Sequence, residues 1–166
     1  DHPGGADYVI VPAMSRDDDP VVLAWLQNQS RKGAMIIGIC AGAKVVGAAG
    51  LLDGRRATTH WYYVGEMLER SPHIDYVADR RMVVDGIVAT TTGITASMPM
   101  MLTLIEAIAG RAKAETVARD LGLETWGARH ASDAFRLTRR FATTVLANSM
   151  AFWNRETHGI RIEPGI

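Results

Sequence analysis

Residues 36–52 read IIGICAGAKVVGAAGLL, and the fold turns on how that run is divided. As one apolar helix it would be nearly long enough to cross a bilayer. Lys44 interrupts it, however, and glycines recur at 38, 42, 47 and 50. A short buried strand followed by a small-residue helix is therefore the better division. The only cysteine of the chain, Cys40, falls at the joint, inside Gly38-Ile39-Cys40-Ala41-Gly42.

G-x-C-x-G at a strand-to-helix turn is the pattern of a nucleophile elbow. Side chains at 38 and 42 would collide with the turn or the neighbouring strand, so both positions call for glycine. The central residue is then held in a strained backbone conformation, with its side chain above the sheet. A helix N-terminus there is expected to stabilise thiolate and depress the Cys40 pKa. The N–H groups of Ala41 and Gly42 are expected to face outward as an oxyanion site. A lone cysteine is more often a buried structural residue. The flanking glycines and the strand-to-helix position favour the elbow.

The run fixes its surroundings. ADYVIVP (6–12) reads as a buried strand stopped by Pro12. Asp19 serves as N-cap and Pro20 as first residue of a helix closed by Gly33, with Val22, Leu23, Leu26 and Trp25 inward. The other acids of SRDDDP, Asp17 and Asp18, fit helix capping too. ATTH (57–60) is extended and WYYVGEMLER (61–70) helical. RRMVVDGIVATTT (80–92) is a hairpin turning at Asp85-Gly86, suited to a type I′ turn. TASMPMMLTLIEAIAG (95–110) is a helix apolar on most faces and hence deeply buried. RAKAETVARDLG (111–122) is an amphipathic helix, and 132–156 a long one carrying Leu137, Phe141, Val145, Met150 and Trp153. Apolar strands alternating with helices give an α/β sandwich with a mainly parallel sheet and one hairpin. In such sheets chemistry gathers at the carboxyl ends of the strands.

At 166 residues and 48% hydrophobic content, the chain has enough material for one domain with a real core. Lys plus Arg and Asp plus Glu balance at 18 each, so no net field draws nucleic acid or an anionic membrane. One cysteine excludes an internal disulfide framework and leans to a cytoplasmic setting. The five histidines lack ligand spacing, so no metal site is expected. Nucleotide-binding glycine patterns are absent, so no cofactor is expected. A faint helix-turn-helix look around AETVARDLG and RLTRRF fails, because the stretch between is too long for a tight turn.

The segments GICAGAKVVGAAGLLDGRRATTHW (38–61) and VVDGIVATTTGITASMPMML (83–102) resemble the ThiJ/PfpI superfamily of class I glutamine-amidotransferase-like proteins. The resemblance is strongest to the branch of isocyanide hydratases and the effector domains of AraC-type regulators. It implies a flavodoxin-like three-layer sandwich, usually a homodimer, with Cys40 as the elbow cysteine. His60 matches the family histidine near that cysteine, able to tune the thiol or carry a proton. Read alone, it is a surface histidine beside Trp61. Thr92 and Gly93 fall where the family lines its pocket.

Departures from the pattern also carry information. Ala41 stands where the peptidases carry histidine, and no late His-x-Glu pair is present, so peptidase and glutamine amidotransferase activities are not expected. Ala41 also replaces the threonine usual in the hydratases. The family's acidic partner of the elbow thiol comes from a strand ahead of anything like ADYVIVP. The expectation is a single domain over 1–166 that is a fragment lacking its first strand and helix. Two functions follow. One is an enzyme in which Cys40 attacks a small electrophile such as a reactive carbonyl or an isocyanide. The other is a non-catalytic domain of a transcriptional regulator that senses a small ligand, or oxidation of Cys40 to sulfinic acid.

Overall fold

The computed structural model of the chain describes residues 4–123 and 126; the helix expected over 132–156 lies outside them. The division of the 36–52 run holds. Strand β2 spans Met35–Gly38 and helix α2 spans Gly42–Ala48, with Cys40 between them. On one side β2 pairs in parallel with β1 (Tyr8–Val11), and on the other with β6 (Val88–Thr91). Strand β5 (Met82–Asp85) runs antiparallel to β6 and closes the order β1-β2-β6-β5.

Side chains alternate along these strands and build two cores. One face sends Val9, Val11, Ile36 and Val88 into a cluster with Leu26 of α1 (Pro20–Arg31), Val45 and Val46 of α2, and Met67 of α3 (Val64–Arg70). The other face sends Ile37 and Ala89 against Met100 of α4 (Ile94–Ala109). Helices on both faces of a mainly parallel sheet make the expected three-layer α/β sandwich. Gly110, at φ 84°, separates α4 from α5 (Arg111–Asp120). Between α2 and β5 lies a small two-stranded parallel sheet, β3 (Arg56–Ala57) with β4 (Asp75–Tyr76), which the sequence does not announce. Among the described residues no helix is long and apolar enough to cross a membrane.

Local expectations hold where one residue decides them. Asp19 caps α1, its Oδ1 accepting from the N–H of Val21 at 2.9 Å and of Val22 at 3.5 Å. Three expectations need correction. Trp25 is exposed, because Val22, Leu23, Leu26 and Gln29 complete the inward stripe. Gln29 is buried because its Oε1 accepts from the Ala6 N–H at 3.0 Å, tying α1 to the approach of β1. The hairpin loop is Gly86-Ile87, one residue beyond the expected turn. Asp85 stays in the ladder opposite Val88, and only Gly86 has positive φ. The Asp85 carboxylate fixes this register by accepting from the Arg56 N–H at 2.8 Å. Finally, α4 is not buried all round: Met100 and Leu102 are covered, while Met98 is 40% and Ile108 58% exposed.

Candidate functional site

The elbow forms because main chain meets main chain there. A Cβ at Gly42 would land on the Val11 carbonyl oxygen and crowd Pro12; one at Gly38 would come within 2.9 Å of the Ala43 Cα. Both glycines are therefore steric requirements. Cys40 between them takes φ 56°, a left-handed conformation that costs a residue with a Cβ about 1–2 kcal/mol.

Two threonines hold that strained unit. The Cys40 N–H donates to Thr91 Oγ1 at 3.1 Å, and Thr59 Oγ1 donates to the Cys40 carbonyl at 3.1 Å. Sequence reasoning missed both. Their signal was position alone: Thr91 ends β6 beside the elbow, and Thr59 directly precedes His60. The Ala41 N–H points at the thiol. The Gly42 N–H does not face outward, because it closes the turn onto the Ile39 carbonyl at 2.8 Å. The expected oxyanion pair is thus reduced to one N–H.

The thiol is half-buried. Burial pushes its pKa above the ordinary value, and the opposing pull of the Ala41 N–H is the smaller effect. The expectation of a depressed pKa is corrected: desolvation outweighs the short α2.

His60 sits at the start of the 3₁₀ turn Trp61–Tyr63, its Nδ1 accepting from the Tyr62 N–H at 3.3 Å. That bond assigns the proton of the neutral ring to Nε2. Burial lowers the His60 pKa, so the ring is neutral at pH 7. Its centroid lies 5.2 Å from that of Trp61 and 6.0 Å from that of Tyr63. Gly93 flanks the same ring: a Cβ there would stand 3.6 Å from His60 Cδ2. Thr92 instead turns away, its N–H and Oγ1 both directed at the Arg81 carbonyl, at 3.0 and 3.3 Å.

Beside the elbow lies a second group that the sequence hinted at only through the lone cation in its apolar run. Lys44 Nζ stands 2.8 Å from Asp17 Oδ2 and 3.0 Å from Glu66 Oε1. Arg70 Nη1 is 2.8 Å from Asp17 Oδ1. Asp17 is therefore no capping residue. Burial works against its charge, but contact with Lys44 and Arg70 outweighs that and lowers its pKa. Burial likewise opposes the Lys44 ammonium, and its two carboxylate partners more than compensate. Among the described residues no group of three or more His, Cys, Asp or Glu side chains is arranged to hold a metal ion.

Comparison with known proteins adds to this geometry. The DJ-1/PfpI family model matches residues 3–107. Isonitrile hydratase of Pseudomonas putida is 39% identical over 119 residues, covering 72% of this chain and 49% of that protein. The HTH-type transcriptional regulator CdhR of Pseudomonas aeruginosa is 41% identical over 86 residues, 52% of this chain and 25% of that protein. The chain thus spans a quarter to a half of the length of these relatives. Among solved structures, DJ-1beta of Drosophila melanogaster superposes with a TM-score of 0.63 at 25% identity, over 72% of this chain and 65% of that one. A THiJ/PfpI family protein of Pseudomonas syringae gives a TM-score of 0.68 at 21% identity, over 93% of this chain and 62% of that one, a likeness of fold.

Proposed function

The chain belongs to the DJ-1/PfpI family, and from that premise we propose that Cys40 is the nucleophile of a site for small electrophiles, of the reactive-carbonyl or isocyanide class. The observation that carries this reading is the left-handed backbone at Cys40, clamped by Thr59 and Thr91. A strained residue held from both ends needs a reason, and presentation of its side chain is one.

The chemistry follows from two neutral partners. As the carbon–sulfur bond forms, the thiol proton leaves to solvent and the carbonyl π pair moves onto oxygen. That oxygen takes the proton of His60 Nε2, which solvent restores, so the net step adds S–H across C=O. Hydration of an isocyanide would use the same nucleophile: sulfur adds at the terminal carbon, that carbon takes the proton of His60 Nε2 to give a thioimidate, and water then adds there and expels the thiol, leaving a formamide.

A second reading, a ligand-sensing effector domain, draws support from the raised thiol pKa and the engaged Gly42 N–H, both of which weaken turnover. The similarity to CdhR points the same way.

Acrylamide tests the shared premise, because its adduct with sulfur is stable. Its rate of formation on Cys40, followed by mass spectrometry across a pH series, should be higher per thiolate in the folded chain than in the chain unfolded by guanidinium, although burial holds back thiolate formation in the fold. A rate per thiolate no higher than in the unfolded chain would sink the nucleophile. Turnover of glyoxal that disappears in Cys40→Ser selects the enzyme; Cys40 labelling without turnover selects the effector.

A further inference from the structure

We propose that Lys44 is a positioning residue that sets His60 relative to the elbow, an inference resting on the Cys40–His60 site proposed above. Lys44, Asp17, Glu66 and Arg70 form a closed ring of alternating charge, with Arg70 Nη2 completing it 3.6 Å from Glu66 Oε1. Lys44 and Asp17 are almost wholly buried, at 9% and 8% side-chain exposure. The ring joins three stretches of chain: the loop after β1, which supplies Asp17; α2, which starts at the elbow; and α3, which supplies Glu66 and Arg70.

What makes the ring more than an internal brace is where α3 comes from. It continues directly from the 3₁₀ turn that His60 caps. Tyr63 ends that turn, and its N–H donates to the His60 carbonyl at 2.8 Å. The ammonium of Lys44 sits 4.5 Å from the centroid of the Tyr63 ring, which in turn packs 6.0 Å from the imidazole. The path from elbow to histidine is therefore α2, Lys44, Tyr63, His60. A fully apolar side chain could fill the same space, but it would not tie Glu66 to α2. A buried lysine costs desolvation that only specific partners offset, and here those partners lie on the segment that carries the histidine.

The test uses the full chain and four variants: Lys44→Met, Lys44→Arg, Glu66→Ala and His60→Asn. Two quantities are measured on each: the pH titration of the His60 imidazole by NMR, where the ring is present, and the rate of Cys40 labelling by acrylamide. Loosening the ring should expose the imidazole and raise its pKa in both Lys44→Met and Glu66→Ala. Labelling should change on the order of tenfold, the scale that a slight misplacement of reacting groups produces. Lys44→Arg should restore both readouts. Glu66→Ala separates position from charge. Removing that carboxylate leaves more net positive charge near His60, so a purely electrostatic link would lower its pKa. A lowered pKa in Glu66→Ala therefore overturns the proposal. So do wild-type titration and labelling in Lys44→Met. If His60→Asn itself leaves labelling unchanged, what fails is the pairing of His60 with Cys40, a result separate from the other two.

Discussion

The two sides of the sheet are built on different terms. At the elbow, glycines let main chain press on main chain, and Cys40 has one conformation open to it. Across the sheet, α4 lays a methionine-rich surface on a small cluster around Ile37 and Ala89, and leaves Met98 and Ile108 in contact with water. The first side carries its own apolar cluster, but its elbow is set by repulsion at short range, which tolerates no added side chain at Gly38 or Gly42. The second is set by apolar contact, which many side chains can supply.

The largest expected effect breaks the first side. Gly42→Ala has no space for its methyl group and should cost about 4 kcal/mol or more in denaturant unfolding, or prevent folding. Gly65→Ala is its control: nothing lies within 4 Å of a Cβ there, and in the first turn of α3 it should be neutral or stabilising by up to about 1 kcal/mol. A loss under about 1 kcal/mol in Gly42→Ala would erase the contrast between the two sides.

Helix α4 sharpens the second side. Met100→Ala empties a buried position, 4% exposed, and should cost about 2–3 kcal/mol, whereas Met98→Ala should stay within about 0.5 kcal/mol. Equal losses at both positions would mean that the outer surface of α4 is covered after all.

Thr91→Val keeps the shape of the side chain and removes the acceptor of the Cys40 N–H. A cost of about 1–2 kcal/mol in thermal or chemical unfolding is expected, with slower labelling of Cys40 as the backbone relaxes.

The smallest effect is a pH dependence. The folded Cys40 pKa lies above its unfolded value, so its contribution to stability is complete below the ordinary thiol pKa. It is lost as pH rises through the folded value. Wild-type stability should thus fall more steeply than that of Cys40→Ala on the alkaline side of the ordinary thiol pKa. Tyr76, whose pKa burial also raises, titrates in both proteins and cancels in the comparison; Tyr63, raised by burial and to a lesser extent by the charge of Cys40, steepens the wild-type curve in the same direction. Parallel curves would mean that the sulfur is better solvated than its burial implies.

The same contrast explains what could be read from the amino acids. Gly38, Gly42, Asp19 and Pro20 each have one local job that any fold must respect, so the strand, the elbow and the first helix were legible. Hairpin existence followed from the flanking β-rich runs. Its register did not, because it depends on Asp85 reaching Arg56, a partner 29 residues away. Trp25 and α4 failed for a related reason: which side of an apolar helix meets water depends on its neighbours, and periodicity does not name them. Among the candidate site residues, Cys40 and His60 were named from the sequence. The threonine clamps were not, since a threonine at a strand end is ordinary until the chain brings an elbow beside it. The thiol pKa was misjudged because helix position is written in the sequence and burial is not. Lys44 was noticed only as an interruption, although a cation in an apolar run always asks where its counter-charge lies.

With its N–H and carbonyl both tethered to neighbouring threonines, Cys40 retains little freedom except rotation of its side chain. A group attached to the sulfur sweeps an arc while the peptide behind it stays put. Turning that peptide over would break both tethers at once.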